Sequence, residues 1–269
     1  MQQFDRPVSI FGVPTDVGAG RRGASMGPEG LRVAGLVEAL LARGIDVVDR
    51  GDLKGPKNPW LGPEAGYRHL EEVVAWNRAV LEASTAELAQ GRMPVMLGGD
   101  HCLAIGSIAA VANHCRATGK TLRVLWLDAH TDFNTSQITP SGNVHGMPVA
   151  CLCGIGPEAL TTLGGHVPST EVAQFRQIGI RSVDPDEKRL VKTHGLDIYD
   201  MRYIDEVGMR RVVEQALQDA AVHLRAELGE LGRRAAVSRH DWSLVVARIL
   251  DTVPAPRTSL ADDLWGQTA

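Results

Sequence analysis

The sequence predicts a three-layer α/β/α fold with a mainly parallel sheet in the middle. Short apolar runs of strand type alternate with amphipathic helical runs for most of the chain. A parallel strand needs a crossover, usually a helix, to return to its sheet, so this alternation implies helices on both faces. Acids and histidines gather at the carboxyl ends of those runs, where open α/β sheets place their ligands. With 269 residues, 44% of them hydrophobic, the chain carries enough apolar material for one sizeable core.

The first strand is "VSIFGV", and a glycine-rich loop leads from it to a helix over 27–44, "GPEGLRVAGLVEALLARG". Pro28 falls in the first turn of that helix, where a missing N–H is harmless. "IDVVDRG" is the second strand. A longer helix is expected over about 63–91, followed by the strand "MPVMLGGDH" and the helix "CLAIGSIAAVANHC". "TLRVLWLD" is the next strand. "FRQIGIRSVD" and "LDIYDMRYI" supply two more, with a short helical stretch between them. Further on, Met209, Val213, Leu217, Ala220, Leu224, Leu228 and Leu231 recur at steps of three and four, the period of an amphipathic helix. Residues 218–234 are therefore expected to be helical, and a second helix to begin near Asp241.

Composition narrows the partners. The net charge of -4 argues against nucleic acid or an anionic membrane surface, which prefer basic patches. The N-terminus "MQQFDRPVSIFGV" lacks a basic segment followed by a long apolar one, and no run reaches the roughly 18 apolar residues of a membrane span. A soluble, cytoplasmic protein is expected. The four cysteines, Cys102, Cys115, Cys151 and Cys153, show no Cys-x-x-Cys spacing. "CLC" on a strand would aim two thiols at one face without a partner pair. Free structural thiols are expected.

The chemistry lies in four stretches: "GGDH" (98–101), "DAHTDFN" (128–134), "SGNVHGMP" (141–148) and "RSVDPDE" (181–187). On an extended chain Asp128, His130 and Asp132 would share one face. Converging carboxylates and imidazole repel and lose solvation unless a cation sits among them. With His101 they make two imidazoles and two carboxylates at neighbouring strand ends, a mixed N and O set suited to Mn, Fe, Co or Zn rather than Ca or Mg. A carboxylate between two cations can bridge them. Blander readings exist for each part. His101 could be a helix cap, 141–143 only a turn, Asp184 a plain N-cap before Pro185, and His145 a loop histidine.

These motifs resemble the ureohydrolase superfamily, and arginase in particular. "GGDH" and "DAHTD" are shared with agmatinases and formiminoglutamases, while "SGNVHGMP" is the arginase-like variant; the resemblance runs from about Pro7 to about Leu217. It implies a single arginase-like domain that hydrolyses L-arginine to L-ornithine and urea through a manganese-activated hydroxide, in a homo-oligomer. It implies that His101, Asp128 and Asp132 ligate a first manganese, with Asp128 bridging to a second held by His130. Asn134, Ser141 and Asn143 match residues that hold the substrate α-carboxylate. Asp184 and Glu187 match those that receive the α-amino group, and Asp132 and His145 the catalytic pair, His145 as proton shuttle.

The pattern then departs from the family. Arginases carry a further strand of the type "HVSFDVDxLDP", whose aspartates complete a binuclear site, and a later "E-x-N-P". Neither occurs here, and no Asp-x-Asp lies beyond Asp186. Residues 218–269 are accordingly expected to be a divergent helical tail, with C-terminal strand or strands of the sheet lost, through divergence, deletion or frameshift. One manganese at most is expected to bind well. Three functions remain open at this point: an arginase whose lost ligands are replaced, for instance by Asp241 or Asp251; an impaired family member kept for oligomerisation or amino-acid binding; and a related hydrolase of the agmatinase or formiminoglutamase type.

Overall fold

A computed structural model of the chain describes residues 6–218. The described chain divides into two compact units, one of 6–122 with 132–171 and one of 123–131 with 172–218.

In the first unit three strands pair in the order β2-β1-β3, all parallel: β1 (Val8–Val13), β2 (Val47–Asp52) and β3 (Met93–Gly98). β1 is buried at every position, as expected of a largely apolar run in the centre of a parallel sheet, and its one polar residue, Ser9, donates to Glu87. β2 carries Asp49, Arg50 and Asp52 at its exposed positions, which suits an edge. The helix read as one element over 27–44 is two, α1 (Gly27–Val33) and α2 (Leu36–Leu41). Gly35 stands between them at φ 82, a left-handed conformation that glycine tolerates and that no helix continues through.

The long helix α3 (Leu70–Ala89) begins later than the expected 63. Ala65, Gly66 and His69 all have positive φ, so the segment before Leu70 cannot wind, although its composition allows it. Glu71 and Glu72 then fill the first turn, where the helix dipole favours acids. α4 (Ala104–Ala117) packs against α3 at close range. A Cβ on Gly106 would lie 2.2 Å from the Asn77 carbonyl oxygen, and the Gly106 N–H donates to Asn77 Oδ1 at 2.8 Å. Between these helices and the sheet lies a core of Phe11, Val13, Val73, Trp76, Val80 and Leu103. The unit closes with α5 (Pro148–Leu152) and α6 (Glu158–Thr161).

Cys151 sits in α5 and Cys153 just after it, so "CLC" is helical rather than a strand; Pro148 at the helix start supplies the preset φ. All four cysteines are free, as expected. Burial pushes the Cys151 and Cys153 thiols up to about 12, and it raises Cys102 and Cys115 as well. Because the thiolate is the reactive form, the native chain should alkylate slowly with iodoacetamide at pH 8, while the urea-unfolded chain reacts at four thiols. A rapid native reaction at Cys151 or Cys153, read by peptide mass spectrometry, would contradict this burial.

In the second unit β4 (Val124–Leu127), β5 (Phe175–Ile180) and β6 (Ile198–Asp200) pair in parallel, in that order. α7 (Pro185–His194) follows β5, with Pro185 in its first turn and Gly195 in the left-handed cap position. The expected strand "LDIYDMRYI" is strand only to Asp200. The Asp200 carboxylate accepts from the Tyr203 N–H at 2.8 Å and so caps α8 (Met201–Val207), a local bond that turns the chain helical despite its β-type Tyr and Ile. α9 (Met209–Ala216) ends at Leu217, and Leu217 and Gln218 form a turn. Val212, Val213 and Ala216 of α9 pack with Ile178, Tyr199 and Tyr203.

The helix expected to carry on from Met209 into 218–234 is interrupted by that turn; its remainder over 219–234, the second helix near Asp241 and the loss of C-terminal strands lie outside the described residues. No helix among the described residues is long and apolar enough to cross a membrane.

Candidate functional site

The "GGDH" stretch leaves β3 and opens a short 3-10 turn, His101–Leu103, whose N-cap is Asp100. Asp100 Oδ1 accepts from the Cys102 N–H at 3.0 Å. A Cβ on Gly18 would stand 2.6 Å from that oxygen, so glycine at 18 is what lets the first loop close over the cap. The capped turn presents His101 with its side chain partly exposed and its Nδ1 2.8 Å from Asp132 Oδ2. Asp132 is itself buried, and its carbonyl accepts from Val149 N–H at the start of α5.

Asp128, His130 and Asp132 were expected to share one face of an extended strand. β4 stops at Leu127, however, and the three side chains follow it on a turn. Asp128 Oδ1 accepts from the His130 N–H at 2.8 Å and lies 3.3 Å from His130 Nδ1. Asp132 has φ 49, a left-handed conformation that aspartate reaches more readily than most residues. Turn geometry, not strand periodicity, therefore aims these groups. The ligand atoms of His101, Asp128 and Asp132 all lie within 4.8 Å of one another; His130 is outside that group.

A buried bond braces the turn. The Thr131 hydroxyl donates to Glu187 Oε1 in the first turn of α7, and Gln177 Nε2 of β5 donates to the Thr131 carbonyl at 2.7 Å. Glu187, expected to receive an α-amino group, is thus buried and engaged by a hydroxyl within its own unit. Asp184 occupies the N-cap position of α7 with extended backbone, and its side chain makes no capping bond. Thr131→Val removes a charge-assisted bond from a buried carboxylate and should destabilise the chain by about 1.5–3 kcal/mol. A thermal melt of the variant unchanged from the parent would exclude a bracing role for this pair.

In the first unit a cleft of about 480 Å³ is lined by Gly20, Arg21, Arg68, Ser141, Asn143 and His145, among others. Three sequence-predicted residues thus come together here, and two arginines join them. Gly142 stands at φ 69, and a Cβ there would lie 2.5 Å from Pro63. The Ser141 and Gly142 N–H groups both donate to Thr139 Oγ1. The 141–143 turn is therefore real, but its side chains also face a cleft. Asn134 is buried nearby in sequence, its N–H donating to the Gly146 carbonyl at 3.0 Å.

Sequence reading passed over Asp16, Arg68, Asp100 and Thr131. Asp16 is buried and accepts from the Gly23 N–H, Ser25 Oγ and Asn58 Nδ2, which ties the loop bearing Arg21 to the segment before α3. Only Asp100 and Thr131, each adjacent to a predicted ligand, stood where a sequence signal could have found them.

Comparison with known proteins agrees with this geometry. The arginase family profile matches residues 6–225. The arginase of Brevibacillus brevis is 40% identical over 233 residues, spanning 85% of this chain and 77% of that protein. The native structure of the Bacillus caldovelox arginase superposes with a TM-score of 0.75 at 41% identity, covering 79% of this chain and 71% of that one. For the Bacillus subtilis arginase the TM-score is 0.73 at 38% identity, covering 80% and 70%. The chain belongs to the arginase family, and with it has the family's α/β/α fold and hydrolase class.

Proposed function

We propose that this arginase-family chain hydrolyses L-arginine to L-ornithine and urea, with one well-formed position for a divalent metal. The observation that supports this most is the group of His101, Asp128 and Asp132. His101 Nδ1 and Asp132 Oδ2 stand 2.8 Å apart, a nitrogen donor and a carboxylate oxygen converging on the same space. Such a mixed set fits manganese. When bound, the ion supplies a water acidified enough to act as a nucleophile at neutral pH. Asp128 and His130 belong to a second metal position in the family pattern, and that position lacks its remaining aspartates in this sequence.

The chain's own residues then divide the remaining work. Ser141 and Asn143 offer hydroxyl and amide groups to an α-carboxylate, and Asn134 is the third member of that set in this reading. Asp184 and Glu187 take the α-amino group in this reading, Glu187 through a carboxylate whose other duty is to hold Thr131. His145 lines the same cleft as Ser141 and Asn143 and is of the residue type that carries a proton to a leaving amine. Homo-oligomer formation and a cytoplasmic location follow the family reading, as do a single domain over the whole chain and a divergent tail over 218–269.

The second reading is an impaired family member that binds an amino acid without brisk turnover. It is favoured by the sequence fact that no Asp-x-Asp occurs beyond Asp186. Assaying urea release from L-arginine and from agmatine, with manganese added, tests the proposal against the agmatinase type. Arginine should be the better substrate by a wide margin, and equal rates would refute the arginine reading.

A further inference from the structure

We infer that Arg68 is a positioning residue that makes the cleft select ligands bearing a carboxylate; this rests on the reading of the chain as an L-arginine hydrolase. Arg68 makes three bonds to two separate segments. Its backbone N–H donates to the Gly142 carbonyl at 2.8 Å, its Nε to Asn143 Oδ1 at 2.8 Å, and its Nη1 to the Leu61 carbonyl at 2.5 Å. The 141–143 turn is thereby held from outside, by a residue 75 positions away from Asn143.

The polarity of the second bond decides the chemistry. A guanidinium can only donate, so the Asn143 oxygen must face it and the amide Nδ2 is what Asn143 has left for a ligand. An amide N–H donor suits a carboxylate, which only accepts, and is a poor partner for an ammonium, which only donates. The charge of the cleft agrees with this. Two arginines, Arg21 and Arg68, and no carboxylate stand among the described residues that line it, which favours an anionic group.

The neighbouring residue keeps Arg68 in place. Buried His69 has φ 52; its Nδ1 lies 2.8 Å from the Val17 carbonyl, and its Nε2 accepts from the Leu61 N–H at 2.9 Å. Arg68 and His69 thus grip the 61 segment from both sides. Nothing in "GYRH" marks this arrangement in the sequence: Asn143 and Val17 stand 75 and 52 positions from their partners, and Leu61 is a plain leucine outside the stretch.

The test is calorimetric titration of the full chain, with manganese chloride added, with L-ornithine and with putrescine, which is L-ornithine without its carboxylate. The parent chain should bind L-ornithine at least about 10-fold more tightly. In Arg68→Ala, L-ornithine should weaken by about 10- to 100-fold, the range of a lost bond to a charged group. Putrescine should stay within about threefold, so the ratio collapses towards one. Arg68→Lys, which can still donate to Asn143 Oδ1 but not to Leu61 as well, should recover part of the ratio; a purely structural role would weaken both ligands alike. If Arg68→Ala does not fold, Arg68→Met, which keeps the length of the stem, takes its place. An unchanged ratio in the Ala or Met variant overturns the inference alone. No preference in the parent chain overturns both the inference and the arginine reading.

Discussion

With manganese supplied, the chain should turn over L-arginine at least about 10³-fold more efficiently than agmatine, judged by kcat/KM. Agmatine is arginine without its carboxylate. A site built to hydrogen-bond a polar group rejects the analogue lacking it by roughly 10⁴–10⁵ when its donors are buried, and by less when they are partly exposed, because the donors left behind lose their partner. Here those donors are Ser141 and Asn143, facing a cleft that also holds Arg21 and Arg68. An ammonium-rich ligand without an anionic end would bring only positive charge to it. Steady-state urea release from both substrates measures the ratio. Comparable values would move the chain to the agmatinase type, which shares "GGDH" and "DAHTD" but not "SGNVHGMP".

The metal content should be at most one tightly held manganese per chain. His101, Asp128 and Asp132 form the described group, whereas in the proposed reading a second position would have only His130 and a bridging Asp128. Each lost ligand or ligand-orienting partner weakens a metal by about 10- to 100-fold, so two lost aspartates reduce affinity by about 10² to 10⁴. Two divalent ions would also repel each other with two fewer anions to offset the charge. Dialysis against manganese, then against metal-free buffer, followed by elemental analysis, reads the stoichiometry. Two retained ions would show that residues of 219–269, Asp241 or Asp251 among them, replace the missing pair.

Motif chemistry was legible in the sequence where ligand types stood close together, and backbone geometry was not. "DAHTD" announces a cation through its residue types. That its groups are aimed by a turn follows from Asp132 at φ 49 and the Asp128 bond to the His130 N–H, which strand periodicity does not contain. The central strand β1 was readable because "VSIFGV" is a largely apolar run, and β5 because Phe and Ile stand at either end of "FRQIGI". Helix starts were not: Pro63 suits a first turn, but the 63–69 segment is held open by His69, whose ring bonds to Val17, 52 residues away. Likewise "LDIYD" reads as strand until the Asp200 side chain claims the Tyr203 N–H.

The site shows the same division. Ser141, Asn143 and His145 were nameable from one motif and do line one cleft. Arg68 was not, because its bonds run to Leu61 and Asn143 and its own surroundings in the sequence carry no signal. Glu187 was nameable, but its bond to Thr131 ties it to the ligand-bearing turn in a way only the fold reveals. Residue types that perform chemistry cluster in sequence, whereas residues that position them are chosen by folding.

The measurement closest to the central claim is urea release from L-arginine by the full chain as manganese is added, set beside the His101→Ala variant. His101 is partly exposed and does not belong to the buried core, so its loss should leave the fold intact while removing one of the three first-position ligands. Urea release should be slow, should appear only with added metal and should stay well below that of an arginase with both metal positions complete, and the variant should lose a further factor of about 10 to 100 in metal affinity. Urea release that ignores manganese, or that persists undiminished in His101→Ala, would contradict that claim.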